Sequence, residues 1–318
     1  KKYMTGEVFR DGPIKTGRYR QFTQFDPDIV GSKSMGAEAE LLSLLDTAFS
    51  KLEFDFSIEL SNKKIIEGIL LDAKIPEGKW EKAIISIDKL KKIGQKGVLS
   101  ELVEKGFNEK SMNSVLENLK KGKTNKETLE MLKKVVKSDI GKEGINELDE
   151  LFDYLDNLGI KSVMFDPSLA RGLAYYTGTV FEVFLKNSKI RSSAAAGGRY
   201  DKLIGNYLGI KEEIPAVGFA FGVEVLLEAL KEKGKVTKKS VTKVFAIPIK
   251  TMNESLNIVK ELRNAGINTD VDLLGRGISK NLAYANSYEI PYVLFIGQKE
   301  LESGKLTLRD MKSGKEES

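Results

Sequence analysis

The chain is 318 residues long, 41% hydrophobic and 31% charged, which supplies enough apolar material for more than one core. Its formal charge of +5 leaves polyanion binding open without requiring it, because a lysine-rich solvated surface gives the same sum. The absence of Cys excludes disulfides, thiolate nucleophiles and Cys-ligated zinc, and the absence of His excludes imidazole general bases and Ser-His hydrolysis.

What remains is chemistry run on Arg, Lys, carboxylates, Tyr and backbone amides. That set suits stabilisation of charge on phosphate better than proton transfer. No apolar run approaches the ~20 residues needed to span a bilayer.

In chain order, residues 4–71 favour strands and one helix. Val8-Phe9-Arg10 leads into a turn-rich basic stretch, 11–20, and then an extended run, 21–26, so the pair reads as a long antiparallel hairpin. Residues 37–52 read as an amphipathic helix and 54–60 as a strand. From 73 to 142 the sequence turns lysine-rich with apolar residues at helical spacing: Trp80, Ile84, Ile87 and Leu90 mark one helix, and Leu129, Leu132, Val135 and Val136 another. Thr124 followed by Glu127 fits a capping box at the start of the latter. This stretch reads as a helical insertion whose basic face fits either solvent or RNA.

A helix over 143–158 leads back to strands at 162–165 and 179–185. The small residues of 194–201 read as a turn, and 216–232 opens extended and becomes a helix. After a polar linker, 233–241, the pattern becomes βαβ-like, with strands at 244–249, 268–274 and 292–297 and helices at 254–264 and 279–287. A linker and a change of pattern coincide there, so 242–318 reads as a separate small α/β domain. The remaining division is 1–72 and 143–232 around the insertion.

The first chemical constellation is Phe9-Arg10, the loop Lys15-Thr16-Gly17-Arg18-Tyr19-Arg20, and the return strand beginning Gln21-Phe22. Alternation puts Phe22, Gln24, Asp26 and Asp28 on one strand face: an aromatic plate, an amide and two carboxylates beside Arg side chains. Arg can fork onto a phosphate and Phe can stack on a base. A surface hairpin with ordinary charge pairs fits the same pattern. Three further stretches stand out: 170–182, containing Arg171-Gly172-Leu173-Ala174-Tyr175-Tyr176; Gly197-Gly198-Arg199-Tyr200-Asp201; and the apolar run 216–226. Taken alone, each also fits an ordinary core strand or tight turn.

Together these stretches resemble the histidyl-tRNA synthetases, members of the class II aminoacyl-tRNA synthetases. The hairpin is similar to motif 2, the Arg171–Tyr176 stretch to a motif particular to the histidyl enzymes, and 216–226 to motif 3. Residues 244–297 resemble the anticodon-binding domain of the same subclass. The resemblance implies an α+β catalytic domain on a mixed, mainly antiparallel sheet, with a helical insertion and a C-terminal α/β anticodon-binding domain. It implies ATP-dependent activation of histidine to histidyl-adenylate and transfer to tRNA(His), in a cytoplasmic homodimer, with ATP as substrate and Mg²⁺ as its counterion. No metal ligand on the protein is expected. Arg10 and Arg171 would be catalytic. Arg10, Arg18 and Phe22 would bind ATP, and Gln24, Asp28, Arg171, Tyr175 and Tyr176 would hold histidine.

Three positions depart from the family pattern. Val225 stands where an Arg usually packs on the adenine, a loss worth about 10–100-fold in ATP use. Ala174 replaces an Asp, and Gly12 stands where the class often has Glu. The chain also starts after the position of motif 1, which reads as truncation at the N-terminus. These departures also fit a catalytically impaired relative that binds histidine or tRNA as a regulator.

Overall fold

The computed structural model describes residues 1–14, 17–170, 175–235 and 239–318. The chain divides into two compact units, Lys1–Lys233 and Gly234–Ser318. In the first, the elements are β1 (Lys2–Phe9), β2 (Gln21–Val30), α1 (Gly36–Lys51), β3 (Phe56–Asn62), α2 (Lys63–Asp72), α3 (Trp80–Ile87), α4 (Leu90–Glu104), α5 (Glu109–Asn118), α6 (Asn125–Val135) and α7 (Asp139–Asn157). They continue with β4 (Val163–Phe165), β5 (Thr179–Leu185), β6 (Ala195–Arg199), α8 (Leu203–Leu208), β7 (Ala216–Gly222) and α9 (Val223–Glu232).

The seven strands form one sheet in the order β1-β2-β7-β6-β5-β3-β4. Every pairing is antiparallel except β3 with β4. The hairpin β1–β2 pairs Lys2 with Asp28 through Phe9 with Gln21, and β2 then pairs with β7, opposing Gln24 to Gly222 and Asp28 to Gly218. Helix α1 presents Leu41, Leu42, Leu45 and Phe49 to the core at helical spacing. Phe25, on the other face of β2 from Phe22, joins that core beside Phe221, which in turn stacks on Phe49.

Residues 195–199 form a central strand where small residues suggest a turn. The reason is crowding. A Cβ at Gly197 would fall on the Gly218 carbonyl and on Phe219, and one at Gly198 on the Thr179 carbonyl. Only bare backbone fits between β5 and β7, so the glycines here serve close packing.

The helices of residues 80–135 share the core of the sheet. Trp80 to Leu90 is two helices, since α3 ends at Ile87 and α4 begins at Leu90, and α4 itself breaks at Gly94, with φ of 70°. Helix α2 meets α7 through glycines: a Cβ on Gly68 would strike the Gly141 backbone, and one on Gly144 would strike Lys64 and Ile65. Thr124 caps α6 by accepting from the Glu127 N–H at 3.0 Å, whereas the Glu127 carboxylate turns to the Lys123 N–H at 2.6 Å. Lys91 ties α4 to the sheet by pairing with Glu59 of β3 and, at 2.9 Å, with buried Asp166 just beyond β4. Burial alone would raise the Asp166 pKa, but Lys91 and Ser168 hold it below the usual carboxylate value.

The second unit contains β8 (Val244–Ile249), α10 (Met252–Asn264), β9 (Thr269–Val271), α11 (Ile278–Ser287), β10 (Tyr292–Gly297), α12 (Gln298–Ser303), β11 (Thr307–Asp310) and β12 (Glu316–Glu317). Its sheet order is β12-β11-β10-β8-β9, parallel across β10-β8-β9 and antiparallel at β11 and β12. Alternation along β8 sends Val244 and Ala246 to the core with Val259 of α10, and Phe245 and Ile247 to the core with Ala285 of α11. Both faces are thereby covered, as a parallel sheet requires.

Candidate active site

At the turn end of the hairpin, the Arg10 N–H donates to the Arg20 carbonyl at 2.8 Å, continuing the ladder beyond β1. The Arg10 side chain folds back: Nε donates to the Tyr19 carbonyl at 2.9 Å, and the guanidinium lies 4.2 Å over the Phe22 ring. Burial, and then the charge of Arg18, lowers the Arg10 pKa, although a guanidinium remains charged at any working pH. Two cations and one aromatic plate therefore share this end of the site. Gly12 has φ of 129°, so the Glu expected there by class pattern would be strained on this backbone.

Val225 is buried beneath the same loop. A Cβ added at Gly17 would lie 3.6 Å from both Val225 and Ile190. The position where the family carries an Arg is here an apolar seat for the loop. One residue earlier, Glu224 accepts the Thr23 N–H with both oxygens, at 2.8 and 2.9 Å, and so locks the start of α9 to β2.

Toward the other end of β2 lies a cluster of carboxylates and tyrosines. Tyr200 donates its hydroxyl to Asp28 Oδ1, while Asp28 Oδ2 lies 3.7 Å from Lys2 Nζ. The Tyr175 and Tyr176 rings are 4.6 Å apart, and the Tyr200 ring meets Tyr175 edge-on at 6.5 Å. Tyr176 is buried, and Tyr175 is exposed. Burial raises the Tyr200 pKa, reinforced by the bond to Asp28 and by the nearby Tyr175 and Asp26, so the hydroxyl keeps its proton and acts as a donor. Asp26 keeps one carboxylate oxygen sealed from solvent without a partner. Its pKa is raised by burial and then by Asp28, against a smaller opposing pull from Lys2.

Arg199 stays out of the chemistry. It is 2% exposed and forks onto fully buried Glu38, with Nε and Nη2 each donating at 2.6 Å, and it also reaches Asp201 at 3.2 Å. Burial alone would lower its pKa, but Glu38 and then Asp201 hold it above the usual value. This buried pair carries the strand that leads to Tyr200.

Arg10, Arg18 and Phe22 thus gather at the loop end, while Asp28, Tyr175 and Tyr176 gather around Tyr200, and Gln24 lies between on the same strand face. Arg171 and Ala174 lie outside the described residues. Tyr200 and Glu224 are additions that their positions in the motifs only hint at, and Asp26, read from the sequence as one of two carboxylates on the strand face, joins them. No group of three or more carboxylates that could hold a metal ion occurs among the described residues.

A seven-stranded, mainly antiparallel sheet, a basic hairpin with an aromatic plate, and a small α/β unit define a class II aminoacyl-tRNA synthetase fold. Residues 2–226 match the family described as histidyl-tRNA synthetase, and residues 243–318 match the anticodon binding domain. A histidine--tRNA ligase 1 of Bacillus cereus is 42% identical over 322 residues, covering 99% of this chain and 74% of the relative. Histidine--tRNA ligase of Clostridium tetani is 33% identical over 328 residues, covering 100% and 74%. The crystal structure of histidyl-tRNA synthetase from Nostoc sp. PCC 7120 superposes with a TM-score of 0.77 at 29% identity, over 99% of this chain and 74% of that one. A structure from Bacillus halodurans C described as an ATP phosphoribosyltransferase regulatory subunit/histidyl-tRNA synthetase shares the fold, with a TM-score of 0.72 at 19% identity, over 92% and 72%. The chain belongs to the histidyl-tRNA synthetase family.

Proposed function

We propose that this chain activates histidine with ATP and passes the histidyl group to tRNA(His). The observation that carries the proposal is the order of groups along one face of β2. Phe22 with Arg10 and Arg18 stands at one end, Gln24 in the middle, and Asp28 with the three tyrosines at the other. Phe22 and Asp28 are six positions apart, about 20 Å of strand. That face takes a nucleobase at one end and an amino-acid side chain at the other, with the reacting phosphorus between them.

In this reading an oxygen of the histidine carboxylate attacks the α-phosphorus of ATP. The bond to the bridging oxygen breaks, and pyrophosphate leaves with the electron pair. Arg10 and Arg171 offset the charge growing on the phosphoryl oxygens, a term that dominates such reactions. Phe22 stacks on adenine and Arg18 reaches the outer phosphates. Gln24, Asp28, Tyr175 and Tyr176 hold the imidazole, with Tyr200 fixing the Asp28 carboxylate. Magnesium enters as MgATP, held through phosphate oxygens and water, the usual manner of this ion.

Residues 1–72 and 143–232 form the catalytic part, 73–142 the helical insertion, and 233–241 the linker to the anticodon-binding residues 242–318. The match of 243–318 to an anticodon-binding family supports tRNA as partner. Among the described residues no helix is long and apolar enough to cross a membrane. The reading extends to a cytoplasmic homodimer, checked by light scattering and cell fractionation.

The test is histidine-dependent exchange of pyrophosphate into ATP, first with unmutated protein and then with Arg171→Ala. The expected loss is about a hundredfold. Absence of exchange with histidine removes the proposal; an unchanged rate in Arg171→Ala removes the role of that residue.

A further inference from the structure

Helix α2 opens with two lysines against a general electrostatic preference. A helix N-terminus carries partial positive charge and favours acidic residues in its first turn, yet α2 begins Lys63-Lys64 with no acidic residue there. Lys64 is compensated by Glu143 and Glu147 of α7. Lys63 is compensated differently. Its Nζ donates to the Tyr176 carbonyl at 2.9 Å, and its own backbone N–H donates to the Gly178 carbonyl at 2.9 Å. Glu67, one turn along, stands 3.4 Å from Nζ.

The same short segment is held from its other side. The Thr177 N–H donates to the Arg199 carbonyl at 2.8 Å, and the Asp201 N–H donates to Thr177 Oγ1 at 3.0 Å. Residues 176–178 are therefore gripped between the first residue of α2 and the end of β6, whose Arg199 is anchored by Glu38. The ammonium of Lys63 acts on the backbone of Tyr176 itself.

We propose that Lys63 is a positioning residue for the histidine pocket: its ammonium fixes the Tyr176 carbonyl and so sets the tyrosine pair against Tyr200 and Asp28. The inference rests on the pocket reading given above. Lys63 keeps 26% of its side chain exposed, so its charge retains part of its hydration while it holds the carbonyl. Its backbone bond to Gly178 survives substitution by any residue except proline, which confines the perturbation to the two contacts of the ammonium, the Tyr176 carbonyl and Glu67.

Pyrophosphate exchange in the full chain, with histidine and ATP varied separately, tests this. Lys63→Met, which keeps the aliphatic stem, raises the KM for histidine by about tenfold, the scale of one charged hydrogen bond, with the KM for ATP unchanged. Should the Met variant melt early, Lys63→Gln serves as the second variant with the same expected split. In a Tyr176→Phe background the Lys63 substitution adds little, because placing the ring matters to histidine through the hydroxyl that Phe lacks, and coupled changes are not additive. An unchanged histidine KM, an equal rise in both KM values, or full additivity with Tyr176→Phe overturns the proposal. Unmutated protein that performs no histidine-dependent exchange overturns the pocket reading and this proposal with it, and that result is distinguishable because it precedes any substitution.

Discussion

The Phe22 ring carries the Arg10 guanidinium on one face, and both residues belong to the end of the site proposed above for the nucleotide. Stacking between a base and an aromatic ring is worth about 1–3 kcal/mol. Phe22→Ala is therefore expected to raise the KM for ATP by about tenfold and to leave the KM for histidine unchanged, as steady-state exchange would show. A rise confined to histidine would place the base elsewhere. At the opposite end, Asp26 gives a prediction with a defined sign. Burial and Asp28 raise its pKa in the folded protein, so folding favours its protonated form. That relative stability is fully present below the usual carboxylate pKa and is lost as the pH rises through the raised value. Asp26→Asn removes the loss: it melts higher than the unmutated protein at neutral pH, and the gap closes on acidification. A gap that is absent at neutral pH, or that widens in acid, contradicts the assignment. The residues of both ends are visible in sequence because they lie close together in it, as with Phe22, Gln24 and Asp28 on one alternating strand. Tyr200, Glu224 and Lys63 act across 172, 201 and 113 residues of separation, and no local pattern reports such distances.

Among the secondary-structure elements, the hairpin, α1 and the β7–α9 passage are legible because period-2 and period-3.6 patterns decide them. Strand β6 is not. Its Ala-Ala-Gly-Gly core has no side-chain pattern, and its strand character comes from the neighbours β5 and β7, which leave room for nothing larger. The strands β11 and β12 are short: β11 adds to β10 with Leu308 half-buried against the core, and exposed β12 adds to β11 as the edge. Gly218 shows how an element-scale constraint reaches the site. It sits opposite Asp28 in the register of β2 and β7, and a Cβ there would fall on the Asp28 carboxylate. Gly218→Ala must push Asp28 away from Tyr200, at a cost of about 1–3 kcal/mol if that part-buried bond breaks. The expected outcome is a raised KM for histidine with the KM for ATP held. Gly197→Ala, which crowds backbone one strand position away, lowers the melting temperature without that selectivity. Equal kinetic behaviour of the two variants would count against the pocket.

For the whole molecule, the proposed function assigns two kinds of recognition to the two units. Every group assigned to ATP or histidine, from Arg10 to Tyr200, lies within Lys1–Lys233, and each unit has its own apolar cores. Residues 243–318, the part matched to anticodon binding, lie wholly in the second. On that assignment adenylation needs only the first set, whereas charging also needs the tRNA to be held. Joining two weak contacts through one chain raises avidity by about 10²–10⁴-fold over either alone. A protein cut to residues 1–233 is therefore expected to keep histidine-dependent pyrophosphate exchange, while aminoacylation of tRNA falls by about a hundredfold or more at limiting tRNA. Raising the tRNA concentration should restore part of the second activity and leave the first unaffected. If exchange and charging fall together while the truncated protein still melts cooperatively, the second unit contributes to the chemistry of activation, and the assignment of the nucleotide and histidine sites to the first unit alone is wrong.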